Sequence, residues 1–222
     1  MTSINSYYRS FCLVVMVVVA AIHAGGCSRI TKGSLKEPSE HSIWKPFDLR
    51  PGDYFKYAIT DNTQAKEGWI TVRVIQKDTH ELEARWEGEL GGQQLSVTTV
   101  APADRLIELS RPMLITSQPA VPFAATILSF WWDHVSGFQW RVGARWSVVF
   151  QEMIPIGFTL QVEDRCEASR VSGFYGRVIA GSNILGEVCV SPPVPLPLWV
   201  LTKDTQGNPR YEARLTEYAP LR

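Results

Sequence analysis

Between His80 and Glu87 the chain alternates without a slip: Leu82, Ala84 and Trp86 are apolar, while Glu81, Glu83, Arg85 and Glu87 are charged. A period of two belongs to a strand with one face on a core and the other in water. A helix, at about 3.6 residues per turn, would scatter these charges around its circumference. Gly91-Gly92 follow, a pair suited to a tight hairpin turn, and lead into a second extended run, Gln93–Val100. Antiparallel strands joined by hairpins are therefore the unit from which this chain is built.

The same texture recurs on both sides. Asp53–Thr60, Trp69–Gln76 and Arg105–Leu109 are further short runs between turn residues, and strands resume at Arg145–Glu152, Phe158–Ala168, Val171–Ile179, Ile184–Val190, Leu198–Lys203 and Arg210–Tyr218. No alternation of strand and long helix suggests βαβ crossovers. Pro192-Pro193-Val194-Pro195-Leu196-Pro197 interrupts the later strands. Proline lacks the ladder N–H, so this segment reads as an extended edge or connector. Pro122–His134 is apolar nearly all round, with Pro122 placed to open a helix and Gly137 to end it. One buried helix packed against the sheet is the expectation. A greasy membrane-facing lid with Trp131 and Trp132 at the interface, or two more strands, are the alternatives.

The N-terminus has a different character. Behind Arg9, Phe11–Ile22 is an apolar run of about a dozen residues, which is signal-peptide length. It falls short of the roughly 20 residues that a transmembrane helix needs. Ala24-Gly25-Gly26-Cys27 ends it. This order resembles a bacterial lipoprotein signal with its lipobox, Ala24 standing where Leu is usual. The resemblance implies diacylglyceryl transfer to the Cys27 thiol and cleavage just before it. Ser28 in the next position is similar to the pattern of lipoproteins sent to the outer membrane of Gram-negative bacteria. The location implied is the cell envelope, on the periplasmic side of the outer membrane. An uncleaved short anchor, or an ordinary cleaved signal beside an incidental cysteine, are the other readings. More than one acyl chain is needed for stable anchoring, and a diacylated or triacylated cysteine supplies that.

On this reading residues 1–26 are signal peptide, 27–45 a lipidated cysteine with a polar tether, and 46–222 a single β-rich domain, long enough to bury a sizeable core. The whole chain balances 22 basic against 22 acidic side chains, and loss of the signal removes only Arg9, which leaves −1. No charge excess points to nucleic acid or to acidic lipid as a general partner. Cys12 departs with the signal, so Cys166 and Cys189 remain in an oxidising compartment. Strict alternation puts Cys166 on the mostly apolar face of its strand and Cys189 on the face of Glu187, opposite Val188 and Val190. A Cys166–Cys189 disulfide and two buried free thiols both stand open. No His or second Cys sits at metal-ligand spacing, so no metal or cofactor is expected.

The second half carries a further resemblance. Val142-Gly143-Ala144-Arg145-Trp146 enters a long strand. Val171-Ser172-Gly173-Phe174, Glu187–Ser191 with Pro195–Leu198, and Tyr211–Tyr218 follow in order. With Pro51–Tyr57 at the front, this is similar to a family of uncharacterised bacterial periplasmic domains over residues 48–219. Ser172 stands where Ala is usual and Cys189 near the usual aromatic. The fold implied is mainly β (α+β): a strongly curved antiparallel sheet or half-barrel wrapped around about one helix, related in shape to the lipoprotein-carrier fold. The family pattern carries no catalytic residues to transfer.

The chemistry of the remaining residues points away from an enzyme. G-x-S-x-G, H-E-x-x-H and P-loop motifs are absent from the sequence. His41 lies in the tether, His80 opens an exposed strand, and Asp133-His134 are chain neighbours that would not face each other on a helix. Two non-enzymatic roles remain. A lipid-anchored structural or assembly partner of another envelope protein, contacted through a sheet edge or the proline segment, is the leading expectation. The alternative is a binder or carrier of lipid or another apolar ligand on the concave face of the sheet. Leu82, Trp86, Ile127, Phe130, Trp131, Trp146, Val148, Phe150, Leu160 and Val162 are its candidate lining.

Overall fold

The structure, a computed structural model, describes residues 42–103, 105, 109, 135, 137–150 and 156–220. Twelve strands follow one another: β1 (Ser42–Ile43), β2 (Tyr54–Asp61), β3 (Lys66–Gln76), β4 (Glu81–Leu90), β5 (Gln93–Pro102), β6 (Gln139–Trp140), β7 (Arg145–Phe150), β8 (Ile156–Ala168), β9 (Val171–Ala180), β10 (Asn183–Val190), β11 (Trp199–Lys203) and β12 (Pro209–Ala219). Ten of them form one open, curved antiparallel sheet in the order β5-β4-β3-β2-β12-β11-β10-β9-β8-β7, and β1 pairs with β6 as a separate ribbon. The expected antiparallel, mainly β architecture is present. Among the described residues there is no α-helix. All of Pro122–His134, where one is expected, lies outside them. Of the run Arg105–Leu109, Leu109 is buried in a 3-10 conformation rather than a strand.

Alternation in the sequence becomes one dry face. Val162, Gly176, Val188, Val200, Ala213, Ile59, Gly68 and Leu90 are successive ladder partners across eight strands. The six with side chains are all buried. Beside this row run Phe55, Val72, Trp86 and Val97. Of the row's two glycines Gly68 is required, because a Cβ there would lie 1.8 Å from the Glu89 carbonyl oxygen. The opposite face carries the charges, paired in ladders: Glu163 with Arg177 at 3.2 Å and Glu187 with Lys203 at 2.5 Å. Burial raises the Glu187 carboxyl, but hydrogen bonds from Lys203 and Tyr175 and the nearby cations outweigh it and the net direction is down.

The dry face is covered by irregular chain. Trp44, Phe47 and Leu49 come from the segment before β2, and Val194, Leu196 and Leu198 from the proline connector between β10 and β11; all are buried in the one core. Three hydrogen bonds hold these pieces in place: Trp44 Nε1–H to Val194 O (2.8 Å), Phe47 N–H to Pro195 O (2.9 Å) and Tyr57 O–H to Pro197 O (2.8 Å). The proline segment is thus an interior connector, with Pro193 exposed, Pro192 half-buried and Val194–Leu198 buried. Ser42–Trp44, assigned to the tether on sequence, pair and pack with the domain.

Cys166 and Cys189 form a disulfide with Cα atoms 6.1 Å apart. Strict alternation fails to predict it because β8 shifts register between Val162 and Asp164. Val162 and Val188 share a face through Gly176, and Cys189 points the other way. The extra residue at the bulge reverses the alternation beyond it, so Cys166 turns from the Val162 face to the Cys189 face. The bridge spans β9, where Cys166 lies opposite Gly173 and Cys189 opposite Tyr175.

Candidate functional site

The candidate lining of an apolar site divides into three groups. Leu82, Trp86, Leu160 and Val162 are on the inner face, each closed into the core at 4% exposure or less. Trp86 further spends its indole N–H on Thr99 Oγ1 at 2.8 Å. Trp146 is half-buried and stacks on Phe138, with ring centroids 5.0 Å apart. Val148 and Phe150 lie on β7, though only their backbone is described, and Ile127, Phe130 and Trp131 are outside the described residues. The aromatic cluster continues from Trp146 to Trp140 (5.6 Å) and from Trp140 edge-on to Trp44 (5.8 Å). Trp140 is fully buried, and its Nε1 is the one buried side-chain polar atom without a hydrogen-bond partner among the described residues.

A recess of about 340 Å³ lies elsewhere, where the strap before β2, the proline connector and the end of β12 meet. Pro192, Pro193, Pro195, Pro220, Ile43 and the Tyr218 ring give it apolar walls, and Lys45, Asp48, Arg50 and Asp53 give it charges of both signs. Its floor is set by a turn that the sequence encodes. Arg50-Pro51-Gly52-Asp53 closes with Asp53 N–H on Arg50 O at 3.0 Å, and Gly52 takes φ 91°, the left-handed value that favours glycine at the third position. Buried Asp53 returns the bond, its Oδ2 accepting Arg50 N–H at 2.8 Å. Two further bonds tie the turn to β3, Gly52 N–H to Val74 O (2.8 Å) and Val74 N–H to Asp53 O (2.9 Å).

Tyr218 reaches the recess through a second bulge. β12 shifts register between Leu215 and Glu217, so Leu215 and Tyr218, three apart, both lie on the inner side, and Tyr218 stacks on Phe55 with centroids 4.9 Å apart. Burial first, then the Asp53 charge, pushes the Tyr218 hydroxyl up to about 12 against the opposing pull of Arg50. It is a neutral phenol throughout the physiological range. Phe47 adds a strained element: its φ of 60° is rare for a bulky residue, and its neighbours hold it there through the Pro195 bond and a Leu49 N–H to Phe47 O contact of 2.7 Å.

Sequence reasoning placed only the proline segment near this site. On sequence Lys45 ends a polar tether, and nothing in the spacing of β12 signals the bulge that brings in Tyr218. Among the described residues no three His, Cys, Asp or Glu side chains are grouped to hold a metal, and no helix is long and apolar enough to cross a membrane. His80 sits in a turn, its N–H on Asp78 Oδ1 at 2.7 Å.

No family model matches the chain and no curated protein matches it. Among solved structures it is similar to MucB in complex with the periplasmic part of MucA (11% identity, TM-score 0.42) and to MucB in the Pseudomonas aeruginosa MucA/MucB complex (14%, 0.43). Both matches cover 78% of this chain, which spans about half the length of the MucB chains, 51% and 53%. It is also similar to a putative lipoprotein from Parabacteroides distasonis (11%, TM-score 0.35), with coverage of 82% of this chain and 100% of that one.

Proposed function

We propose that this chain is a lipid-anchored protein of the bacterial envelope whose β domain works without catalysis, by holding another envelope protein. Cys27 is the anchor in this reading, and the outer membrane, on its periplasmic side, is the location implied by Ser28. The observation that carries the reading is how the inner face of the sheet is used. Trp44, Trp140, Leu196 and Leu198 fill it with the chain's own side chains. A recess remains at the surface with proline walls and a rim of Lys45, Asp48 and Arg50, a size that accepts one or two side chains of a partner. A disulfide between Cys166 and Cys189 suits the oxidising compartment that the signal implies.

A second reading, a binder of lipid or another apolar ligand, is favoured by Trp140. Its indole N–H is buried and donates to no described group, and a ligand oxygen within the aromatic cluster would satisfy it. Two measurements separate the readings. A photo-crosslinker at Lys45 or Pro193, with Gln206 as the exposed control, should capture one discrete envelope protein in intact cells. Native mass spectrometry of the mature protein should give the mass of the chain alone. A stoichiometric lipid adduct, with no crosslink specific to the recess, would overturn the first reading in favour of the second.

A further inference from the structure

The most exposed large apolar residue among those described is Val142, at 51%, followed by Ile43 at 46%. Ile43 is a wall of the recess, and Val142 follows the strand that pairs with it. β1 and β6 pair with Ser42 opposite Trp140 and Ile43 opposite Gln139, and β6 runs directly into the turn Arg141-Val142-Gly143-Ala144. That turn is rigid. Ala144 N–H donates to Arg141 O at 3.0 Å, Gly143 takes φ 85°, and two bonds fasten it to β8, Gly143 N–H to Val162 O (2.9 Å) and Val162 N–H to Ala144 O (2.8 Å). Val142 therefore stands at the apex of a type II turn, the position next to the glycine, where its side chain is aimed outward without being needed for packing. Arg141 and Arg145 flank it, both exposed and neither in an ion pair with a described residue. Glu163, one residue beyond Val162, is engaged by Arg177. The other exposed large apolar residues differ: Trp69 carries Lys56 over its ring at 5.8 Å, and Val100 lies on β5, the far edge of the sheet from β7.

We infer that this arginine-flanked apolar turn is a membrane-contacting prong, which seats the β1–β6 corner on the anionic headgroups of the bilayer that holds the Cys27 lipid. The inference rests on the anchoring proposed above. β1 is the part of the described domain nearest to Cys27 along the chain. The residues between Cys27 and Ser42 span at most about 50 Å, whatever path they take. An apolar tip with guanidinium groups beside it is the chemistry of a headgroup boundary: the side chain enters the interface while the cations meet lipid phosphates. The domain from residue 46 carries 17 basic and 20 acidic side chains, a net −3, so the attraction comes from this local arrangement and not from net charge.

The test uses the full lipidated protein in vesicles of phosphatidylethanolamine with a minor fraction of phosphatidylglycerol. Flotation reads the anchor. A nitroxide on Val142→Cys reads the corner, with Thr98→Cys on β5 as the distant control, and oxygen against a water-soluble nickel reagent reports depth. The expected result is flotation of both labelled proteins, the 142 label at headgroup depth and the 98 label in water. In Arg141→Glu/Arg145→Glu the protein should still float, while the 142 label should move into water. A floating protein whose 142 label is in water from the start overturns the prong and leaves the anchor standing. Failure to float overturns the anchor and the prong with it. A 142 label shielded from both reagents on the vesicle-free protein would mean a protein contact at this corner, and that also overturns it.

Discussion

Replacing both bridged cysteines, Cys166→Ala with Cys189→Ala, isolates what the disulfide contributes. The two are separated by 23 residues. The loop-closure relation for a cross-link of that span gives about 3.4 kcal/mol at room temperature, through restriction of the unfolded chain. Alanine is the correct replacement because Cys189 is buried, and a serine hydroxyl there would add a desolvation cost unrelated to the bridge. At roughly 2–4 °C per kcal/mol for a domain of this size, the melting temperature should fall by about 7–14 °C. The assay is urea unfolding followed by tryptophan fluorescence, with and without dithiothreitol. Reductant should lower the wild-type midpoint to near that of the double variant and leave the variant unchanged. A loss below about 1 kcal/mol, or a reductant effect that persists in the variant, would refute the chain-restriction argument. A reductant-insensitive wild type, with two reactive thiols, would instead refute the register shift that turns Cys166 toward Cys189.

Three further outcomes follow from single residues. Trp44→Phe should cost about 2 kcal/mol by leaving the buried Val194 carbonyl without its indole donor, and chemical denaturation should show Trp140→Phe costing less, since that indole N–H has no partner to lose; equal losses would mean that ring volume alone matters. Gly173→Ala should destabilise by about 1–3 kcal/mol or more, because the new methyl would sit 2.3 Å from the Val190 carbonyl oxygen, and thermal unfolding checks it. The raised Tyr218 hydroxyl gives a pH dependence: the folded form resists ionisation to about 12 while an unfolded tyrosine ionises near its ordinary value of 10.0. The unfolded state therefore binds fewer protons between these values, and stability present below pH 10 should fall as pH rises toward 12. Tyr218→Phe should flatten that slope in a pH-resolved unfolding series, though not abolish it, since buried Tyr57 is raised in the same direction.

What was legible in the chain was whatever a period of two encodes. β4 with Leu82, Ala84 and Trp86 inward is the plainest case, and its hairpin to β5 turns where Gly91-Gly92 said it would, both at positive φ. Information that resides in a single inserted residue was not legible. The bulge after Val162 and the bulge after Leu215 each reverse the faces that follow, and no residue type announces either one. Those two shifts are what bring Cys166 to Cys189 and Tyr218 to the recess, so the disulfide and the candidate site were both hidden by the same mechanism. The strap escaped for a different reason. Trp44, Phe47 and Leu49 have no period because they lie across the sheet, each held by a separate contact with the proline connector or the core.

These irregular pieces also decide how the dry face of the sheet is used. A sheet of hairpins alone would leave its dry face to solvent, to a ligand or to a partner. Here the strap, the connector and Trp140 of β6 pack into the core on that face. The covering is held mainly by side chains that reach backbone carbonyls of the connector, Trp44 to Val194 and Tyr57 to Pro197. Proline favours this arrangement: it presents carbonyl acceptors along an extended path and has no N–H to leave unpaired against the core. A partner that grips the exposed edge of that connector at Pro192 and Pro193 therefore touches chain already fixed in place, and binds without the entropy cost of ordering a loop.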